Sequence, residues 1–525
     1  MSTSPPRFYI TTAIDYVNSA PHLGTAYEKI AADALARYHR LAGHDTWFVM
    51  GTDEHSQNVE KAARKEGLEP GDYADRMADR FQETWAALDI SHDDFVRTTE
   101  TRHRRSVQAI FKAVTEAGDI YKGHYEGWYC VSCEGYKQEK DLVDGLCPVH
   151  HTKPDWLQEE NYFFALSKYQ QRLTDFYEAN PDFLVPIERK NEIVNVVTSG
   201  LDDISVTRPN TTWGIPLPSD PGHVIYVWFD ALTNYLSAVG YGDDSPEAKA
   251  RYERWWPADL HVIGKDITRF HCIIWPAMLM SAGLPLPKQV LGHGWVTFKG
   301  EKMSKSLGNI VDPLDVAHRV GPDALRYYLL KEVPLDRDGD FTWDLFIERY
   351  NSELANDLGN LVSRCVAMAE KYFGGDLPVE HQFGAAGLVD HSGAIELRTV
   401  AAGAVADYVD AFNRLAVDEA IAAARSIVRR ANQFIEETAP WTLAKDPTRR
   451  SELAAVMNAL VESVRISATL LWPVIPRKSG EILAALRMEA PGPGSLAGVA
   501  WAPERHRPVA SLGRIEAIFP RIESI

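Results

Sequence analysis

Residues 8–14 are dense in β-branched and aromatic side chains, the types that suit a pleated, half-buried surface, and they predict a strand. An irregular stretch, 15–21, follows. Leu23, Ala26, Tyr27, Ile30, Ala31, Ala34, Leu35, Tyr38 and Leu41 then recur at the three- and four-residue spacing of one helix face, and Gly43 ends that pattern. A second short apolar run, 46–50, completes a strand, helix, strand unit. The same succession returns at 261–263, 267–282 and 289–291. Two such units far apart in one chain predict a parallel sheet interrupted by an insertion, because a helical crossover is what joins neighbouring parallel strands.

Between the units, 118–222 mixes strand-like and helical patterns and reads as a separate small module. Beyond about 346 strand patterns nearly vanish, while Ala, Leu and Val recur at helical spacing through 346–373, 393–438 and 449–472, which predicts a helical bundle. The expected division is 1–117 and 223–291 for the two halves of the α/β domain, 118–222 for the insertion, 292–345 for a linker module with a lysine-rich loop, and 346–525 for the bundle. The fold class is α/β: a split, Rossmann-like parallel-sheet domain carrying an insertion and followed by an all-α region.

Composition narrows this little. A chain of 525 residues is too long for one core, and 45% hydrophobic with 24% charged residues argues against large-scale disorder. The amino terminus has no basic segment leading into an apolar one, and the apolar stretch 456–473 is interrupted by Asn458, Glu462, Ser463 and Arg465, so a cytoplasmic protein with no membrane partner is expected. The net charge of −18 repels a polyanion at long range, so any nucleic-acid contact must use local basic and aromatic patches.

Three of the five cysteines crowd into one segment: Cys130-Val-Ser-Cys133, thirteen residues, then Cys147-Pro-Val-His150. Two knuckles so spaced offer four ligands at the corners of a tetrahedron, which suits a structural Zn²⁺ with no open position. His151 is adjacent and is the alternative fourth ligand. Cys272 and Cys365 lie in helical patterns and read as buried apolar residues.

Two further segments point to phosphate. Pro21-His22-Leu23-Gly24-Thr25 sits where the first strand hands over to its helix, where helix amides and dipole favour an anion and His22 can donate to a phosphoryl oxygen; a histidine that merely caps the helix is the bland alternative. Lys302-Met303-Ser304-Lys305-Ser306, between Gly300 and Gly308, carries two ammonium groups that can close over pyrophosphate charge, or be an ordinary solvated loop.

These two segments, in this order on a split parallel sheet, resemble the HIGH and KMSKS pair of class I aminoacyl-tRNA synthetases. Gly51-Thr52-Asp53-Glu54-His55, Tyr226-Val227-Trp228-Phe229-Asp230-Ala231, Ile263-Gly264-Lys265-Asp266 and Trp275-Pro276-Ala277-Met278-Leu279 narrow the resemblance to the methionyl-tRNA synthetase family over nearly the whole chain. The resemblance implies a ligase that activates L-methionine with ATP and Mg²⁺ and passes it to tRNA(Met), initiator and elongator alike. It implies catalytic His22, Lys302 and Lys305, and an ATP site of His22, Gly24, Thr25, Gly264, Asp266, Gly294, Val296 and Lys305. It further implies a methionine pocket of Ala13, Ile14, Tyr16, Asp53, Trp228, Ala231, Tyr235, Ile267 and His271, and an anticodon reader of Asn360, Arg364, Pro440 and Trp441. A flexible, polarizable thioether gains from aromatic edges, which fits such a pocket. The family's zinc knuckle lies in the same insertion as the cysteines.

One position departs. The family carries histidine at the fourth place of the first motif, where this chain has Thr25, which keeps a hydroxyl but cannot carry positive charge. The rival reading is a catalytically weakened tRNA-binding paralogue. Class I relatives for isoleucine, leucine and valine need a larger insertion than about 100 residues, and the zinc thiolate site of the cysteine enzymes has no counterpart around the first motif. A monomer is expected, since the chain ends near the bundle.

Overall fold

The computed structural model describes residues 5–131, 135–137, 139, 142–148, 151–209, 211–303, 310–378, 392–502, 512 and 516–523. Cys133, His150 and Lys305 lie outside the described residues, as does the side chain of Lys302.

The strand, helix, strand unit forms as its pattern requires: β1 (Arg7–Thr12), α1 (Leu23–Leu41) and β2 (Asp45–Asp53). Four more strands, β3 (Asp94–Arg97), β4 (Leu184–Val185), β5 (Leu260–Gly264) and β6 (Val290–His293), join them in a parallel sheet of order β3-β2-β1-β5-β6-β4. A two-residue strand, Asp15–Tyr16, bonds to Thr52 and Asp53 at the end of β2. Alternate side chains enter different cores. Ile10, Phe48, Met50, Val262 and Leu291 pack on the face covered by α1, while Tyr9, Val49, Ile263 and Val290 pack on the other. The chain leaves β1 toward β2 on one side, and β5 pairs its other side, so a switch point lies between β1 and β5, where open α/β sheets leave a crevice at the carboxyl ends.

The stretch 118–222 is less separate than its pattern predicts. Ile120–Cys130, Gly135–Lys137, Asp155–Phe164 and Ile204–Ser205 do form their own antiparallel sheet. Yet β4, from the same stretch, bonds to β6, and Leu173, Tyr177, Ile193 and Val197 of two helices there complete the second core. A strand of two residues is too short to show alternation, so this edge leaves no trace in the sequence pattern. The stretch 267–282 also differs from one regular helix. It winds as Lys265–Ile267, a wide turn Phe270–Ile274 closed by the Trp275 N–H on the Phe270 carbonyl, and an α-helix Trp275–Ser281. Such wide turns shift side chains out of helical register, here next to Ile267 and His271.

The carboxy-terminal part is helical, including Asn360–Phe373, Ser392–Asn413, Val417–Thr438, Arg450–Leu471 and Pro476–Ala485. Among the described residues one helical stretch, Pro447–Leu471, is long and apolar enough to cross a membrane, and it is the buried centre of the bundle. Inside it Arg465 pairs with Glu462 at 2.7 and 2.9 Å, which satisfies the charges that interrupt its apolar run. The bundle shares one continuous core with the α1 face of the sheet. Arg326, fully buried, donates to Asp33 of α1 at 2.6 Å, to the Leu88 carbonyl at 3.3 Å, and to the carbonyls of Pro473 and Val474 at 2.9 Å each.

Candidate active site

A cleft of about 380 Å³ opens at the carboxyl ends of β1, β2, β5 and β6. Every residue that the resemblance assigned to methionine lines it: Ala13, Ile14, Tyr16, Asp53, Trp228, Ala231, Tyr235, Ile267 and His271. So do His22, Gly24, Thr25, Gly264, Asp266, Gly294 and Val296 from the ATP set, and Met303 of the lysine-bearing loop.

The start of α1 is capped from within. The Nδ1 of His22 accepts from the amides of Gly24 at 3.1 Å and Thr25 at 3.3 Å, the Leu23 amide bonds the Val311 carbonyl, and the Ala26 amide bonds the His22 carbonyl. His22 thus caps its own helix, as the bland reading had it, and in this arrangement each of these amides has an acceptor within the chain. An Nδ1 that accepts leaves the proton of a neutral ring on Nε2, an assignment inferred from this geometry, so Nε2–H is the donor His22 can offer a ligand. Thr25 completes the arrangement, since its Oγ1 accepts the His22 amide at 2.9 Å and donates to the His22 carbonyl at 2.7 Å. This is a reciprocal capping box, with the hydroxyl of threonine doing what a carboxylate more often does.

Beneath this point lies a charge network that sequence reasoning missed. Lys29, with no exposed surface, pairs with Asp15 at 3.0 Å and Glu28 at 2.7 Å and donates to the Ala13 carbonyl at 2.9 Å. His293 on the other half of the sheet meets Glu28 at 3.2 Å through Nε2 and the Gly294 carbonyl at 2.7 Å through Nδ1. Asp15, Glu28 and His293 all line the cleft. One cation serves two carboxylates, and they divide it unequally. Burial pushes Asp15 up to about 6 against the pull of Lys29, whereas at Glu28 burial is outweighed by Lys29 and His293, which hold its carboxyl below the usual range. At Lys29 burial is outweighed by the two carboxylates, which raise its ammonium. The signal in the sequence was a lysine flanked by core positions of an otherwise apolar helix face.

The other end of the cleft is aromatic. Trp228 stacks on Phe270 with centroids 3.5 Å apart and meets Tyr16 edge-on at 6.3 Å. The Tyr235 hydroxyl lies 2.7 Å from His271 Nε2, and His271 Nδ1 lies 3.1 Å from the Ile267 carbonyl. A ring that donates from Nδ1 and accepts at Nε2 is neutral, in keeping with burial pushing His271 down to about 4.

The remaining candidates lie elsewhere. Cys130 and Cys147 are buried, and Thr152 touches both, its Oγ1 4.0 Å from Cys130 Sγ and its carbonyl accepting the Cys147 amide at 2.9 Å. Burial pushes the thiols of Cys272 and Cys365 up, as inert core cysteines require. On the bundle, Asn360 and Arg364 share one helix, and the guanidinium of Arg364 sits 5.8 Å from the ring of Trp441 and 2.7 Å from Glu436. Trp441 is 41% exposed, beside buried Pro440, so its ring can receive a partner.

The model of the class I tRNA synthetases of the methionine type matches residues 8–154 and 135–366, and that of the anticodon-binding domain of methionyl tRNA ligase matches 390–497. The chain belongs to the methionyl-tRNA synthetase family. It is 47% identical over 469 residues to a methionine–tRNA ligase of Caldanaerobacter subterraneus, covering 89% of this chain and 72% of that one. It is 45% identical to that of Synechocystis, covering 92% and 90%. A solved Mycobacterium tuberculosis methionyl-tRNA synthetase in complex with methionyl-adenylate superposes with a TM-score of 0.92 at 40% identity, over 98% of this chain and all of that one, and the free form of that protein with 0.85 at 37%. The chain is accordingly an ATP-dependent ligase that activates methionine and transfers it to tRNA. The weakened-paralogue reading finds no support in these likenesses.

Proposed function

We propose that the cleft divides into a methionine end and a nucleotide end, and that the residues assigned by resemblance act there in the roles expected. The observation that carries this is their convergence on one crevice at the switch point of the sheet. Asp53 holds the α-ammonium of L-methionine, and Ala13, Ile14, Tyr16, Trp228, Ala231, Tyr235, Ile267 and His271 enclose its side chain. Gly264, Asp266, Gly294 and Val296 receive the nucleoside of ATP, with Gly24 and Thr25 at the rim. The methionine carboxylate oxygen attacks the α-phosphorus in line; a new P–O bond forms as the bond to the bridging oxygen breaks, and pyrophosphate leaves with the electron pair. His22 Nε2–H, Lys302 and Lys305 balance the charge on those oxygens, which positioned donors do without reorganisation. ATP brings Mg²⁺ as its counter-ion. The terminal hydroxyl of tRNA(Met), initiator or elongator, then attacks the adenylate carbonyl and releases AMP.

Asn360, Arg364, Pro440 and Trp441 form the anticodon reader, where stacking on Trp441 and hydrogen bonds from Arg364 suit splayed bases. Cys130, Cys133, Cys147 and His150 hold one structural Zn²⁺; two buried cysteines that both touch Thr152, Cys130 through its thiol and Cys147 through its amide, fit a closed thiolate set. A single zinc per chain in metal analysis is the expected result. The division 1–117, 118–222, 223–291, 292–345 and 346–525 describes the labour of the parts, and the protein is a cytoplasmic monomer, to be checked by sedimentation. The deciding experiment is ATP–pyrophosphate exchange with methionine, isoleucine and cysteine. Exchange with methionine alone is expected, and equal exchange with either of the others would overturn the assignment of the aromatic end.

A further inference from the structure

Outside the cleft, one carboxylate joins two of its walls. Asp230 lies on the helix Val227–Leu232 between Trp228 and Ala231, both cleft residues, but its own side chain is fully buried. Its Oδ2 accepts from His55 Nδ1 at 2.8 Å and its Oδ1 from His103 Nε2 at 2.6 Å. His55 stands two residues after Asp53 in the loop that leaves β2. His103 belongs to the helix Thr101–Glu116, and its Nδ1 meets Ser237 Oγ at 2.9 Å. The side chains of His55, His103 and Asp230 are 3%, 0% and 0% exposed.

The loop is also gripped from its other side. Glu54 binds Arg97 through two bonds at 2.7 and 3.1 Å, and Trp213 donates to the Glu54 carbonyl at 2.7 Å while its ring lies against His55. Asp53 lies between these grips on Glu54 and His55 and the sheet itself, where it ends β2 and pairs with Tyr16, so it has little freedom to move. A buried carboxylate must keep its donors, so the separation between the Asp53 loop and the Trp228 wall is fixed by the charge-assisted bond from His55 to Asp230 rather than by packing alone, while the bond from His103 anchors Asp230 to the helix Thr101–Glu116.

We propose that His55, Asp230 and His103 are positioning residues for amino-acid selection: they set the distance between the carboxylate that receives the α-ammonium and the aromatic wall that receives the thioether. The inference rests on the methionine-end reading above. Its consequence is a length standard. An amino acid one methylene shorter or longer than methionine misses one of the two contacts when the span is rigid, and is better tolerated when the span is loosened.

The test uses the full chain in ATP–pyrophosphate exchange, varying methionine and ATP separately. His55→Leu removes the donor and should raise the methionine KM about tenfold to a hundredfold, with the ATP KM changed by less than about twofold. His55→Asn places an amide nitrogen where Nδ1 stood and should recover most of that loss. His103→Gln, whose amide reaches the Nε2 position, should do likewise relative to His103→Leu. Should His55→Leu fail to fold, His55→Gln replaces it, since its amide is misplaced for Asp230 and it should be the worse of the two polar variants. Equal rises in both KM values, or no difference between the Asn and Leu variants, would overturn the proposal. Asp53→Asn separates the two readings. If it raises the methionine KM while His55→Leu does not, only the positioning role falls; if it leaves that KM unchanged, the methionine-end reading falls and the positioning role with it.

Discussion

At the aromatic end of the cleft the walls are rings in contact: Trp228 on Phe270, Tyr16 at the edge of Trp228, Tyr235 bonded to a neutral His271. Around the start of α1 they are charges in contact: Lys29 between Asp15 and Glu28, and His293 closing on Glu28. The first end can select by shape and dispersion, which reward a snug fit of an uncharged side chain. The second holds buried ions whose attraction offsets their desolvation only while every partner is present. A small loss of packing should therefore be felt as weakened binding at one end, and a lost partner should be felt as lost stability at the other.

Lys29→Met is the largest expected effect. It leaves two buried carboxylates facing each other with no cation, and breaking a buried pair in this way costs about 3 to 5 kcal/mol, read as a lower denaturant midpoint at unchanged slope. A loss below about 1 kcal/mol would mean that the carboxylates simply take up protons, and that the charged end is not held by its ion pairs. Trp228→Ala should act mainly on binding. Truncating a buried aromatic anchor is worth about 2 kcal/mol or more, so the methionine KM should rise on the order of thirtyfold while the ATP KM moves little. A parallel rise in both would blur the division between the ends.

Asp15 supplies a pH test. Its folded-state pKa of about 6 exceeds the ordinary 3.8, so between these values the folded chain binds a proton that the unfolded chain has lost. That contribution to stability is complete below pH 3.8 and disappears as the pH rises through 6. Asp15→Asn lacks it, so the variant should gain on the parent by about 1 to 3 kcal/mol on passing from pH 4 to pH 7. A constant difference across that window would mean that Lys29 keeps Asp15 ionised. The smallest effect belongs to Thr25→Ala, which removes one half of the capping box. It should cost about 0.5 to 1.5 kcal/mol of stability and slow pyrophosphate exchange only a few-fold, the sign of a structural hydroxyl rather than a phosphate ligand.

The ends differed in legibility as well. The lining of the aromatic end was legible through the family resemblance that the ordered motifs carry, since Tyr16, Trp228, Tyr235 and His271 do reach one cleft. The charged end was not, because Asp15, Glu28, Lys29 and His293 acquire meaning only through distances between α1 and β6, which no local spacing encodes. His22 shows the same limit in miniature: its presence at a helix start was visible, but which ring nitrogen faces the helix was not. The parallel sheet was foreshadowed by two periodic units, whereas its edge strand at 184–185 was too short to leave a period.

Arg326 bears on how such a chain can be dissected. Two of the four acceptors of its guanidinium, the carbonyls of Pro473 and Val474, come from the far end of the bundle, and one, Asp33, from the helix that opens at His22. A cut near residue 345 would strip a buried cation of half its acceptors and bare the apolar face shared by sheet and bundle. The piece that holds the whole cleft would then be an unstable fragment, prone to aggregate before it could be assayed. The boundary between reading an anticodon and making an adenylate is thus a boundary of tasks and not of autonomy, and swapping either part between relatives would demand that the guanidinium's acceptors travel with it.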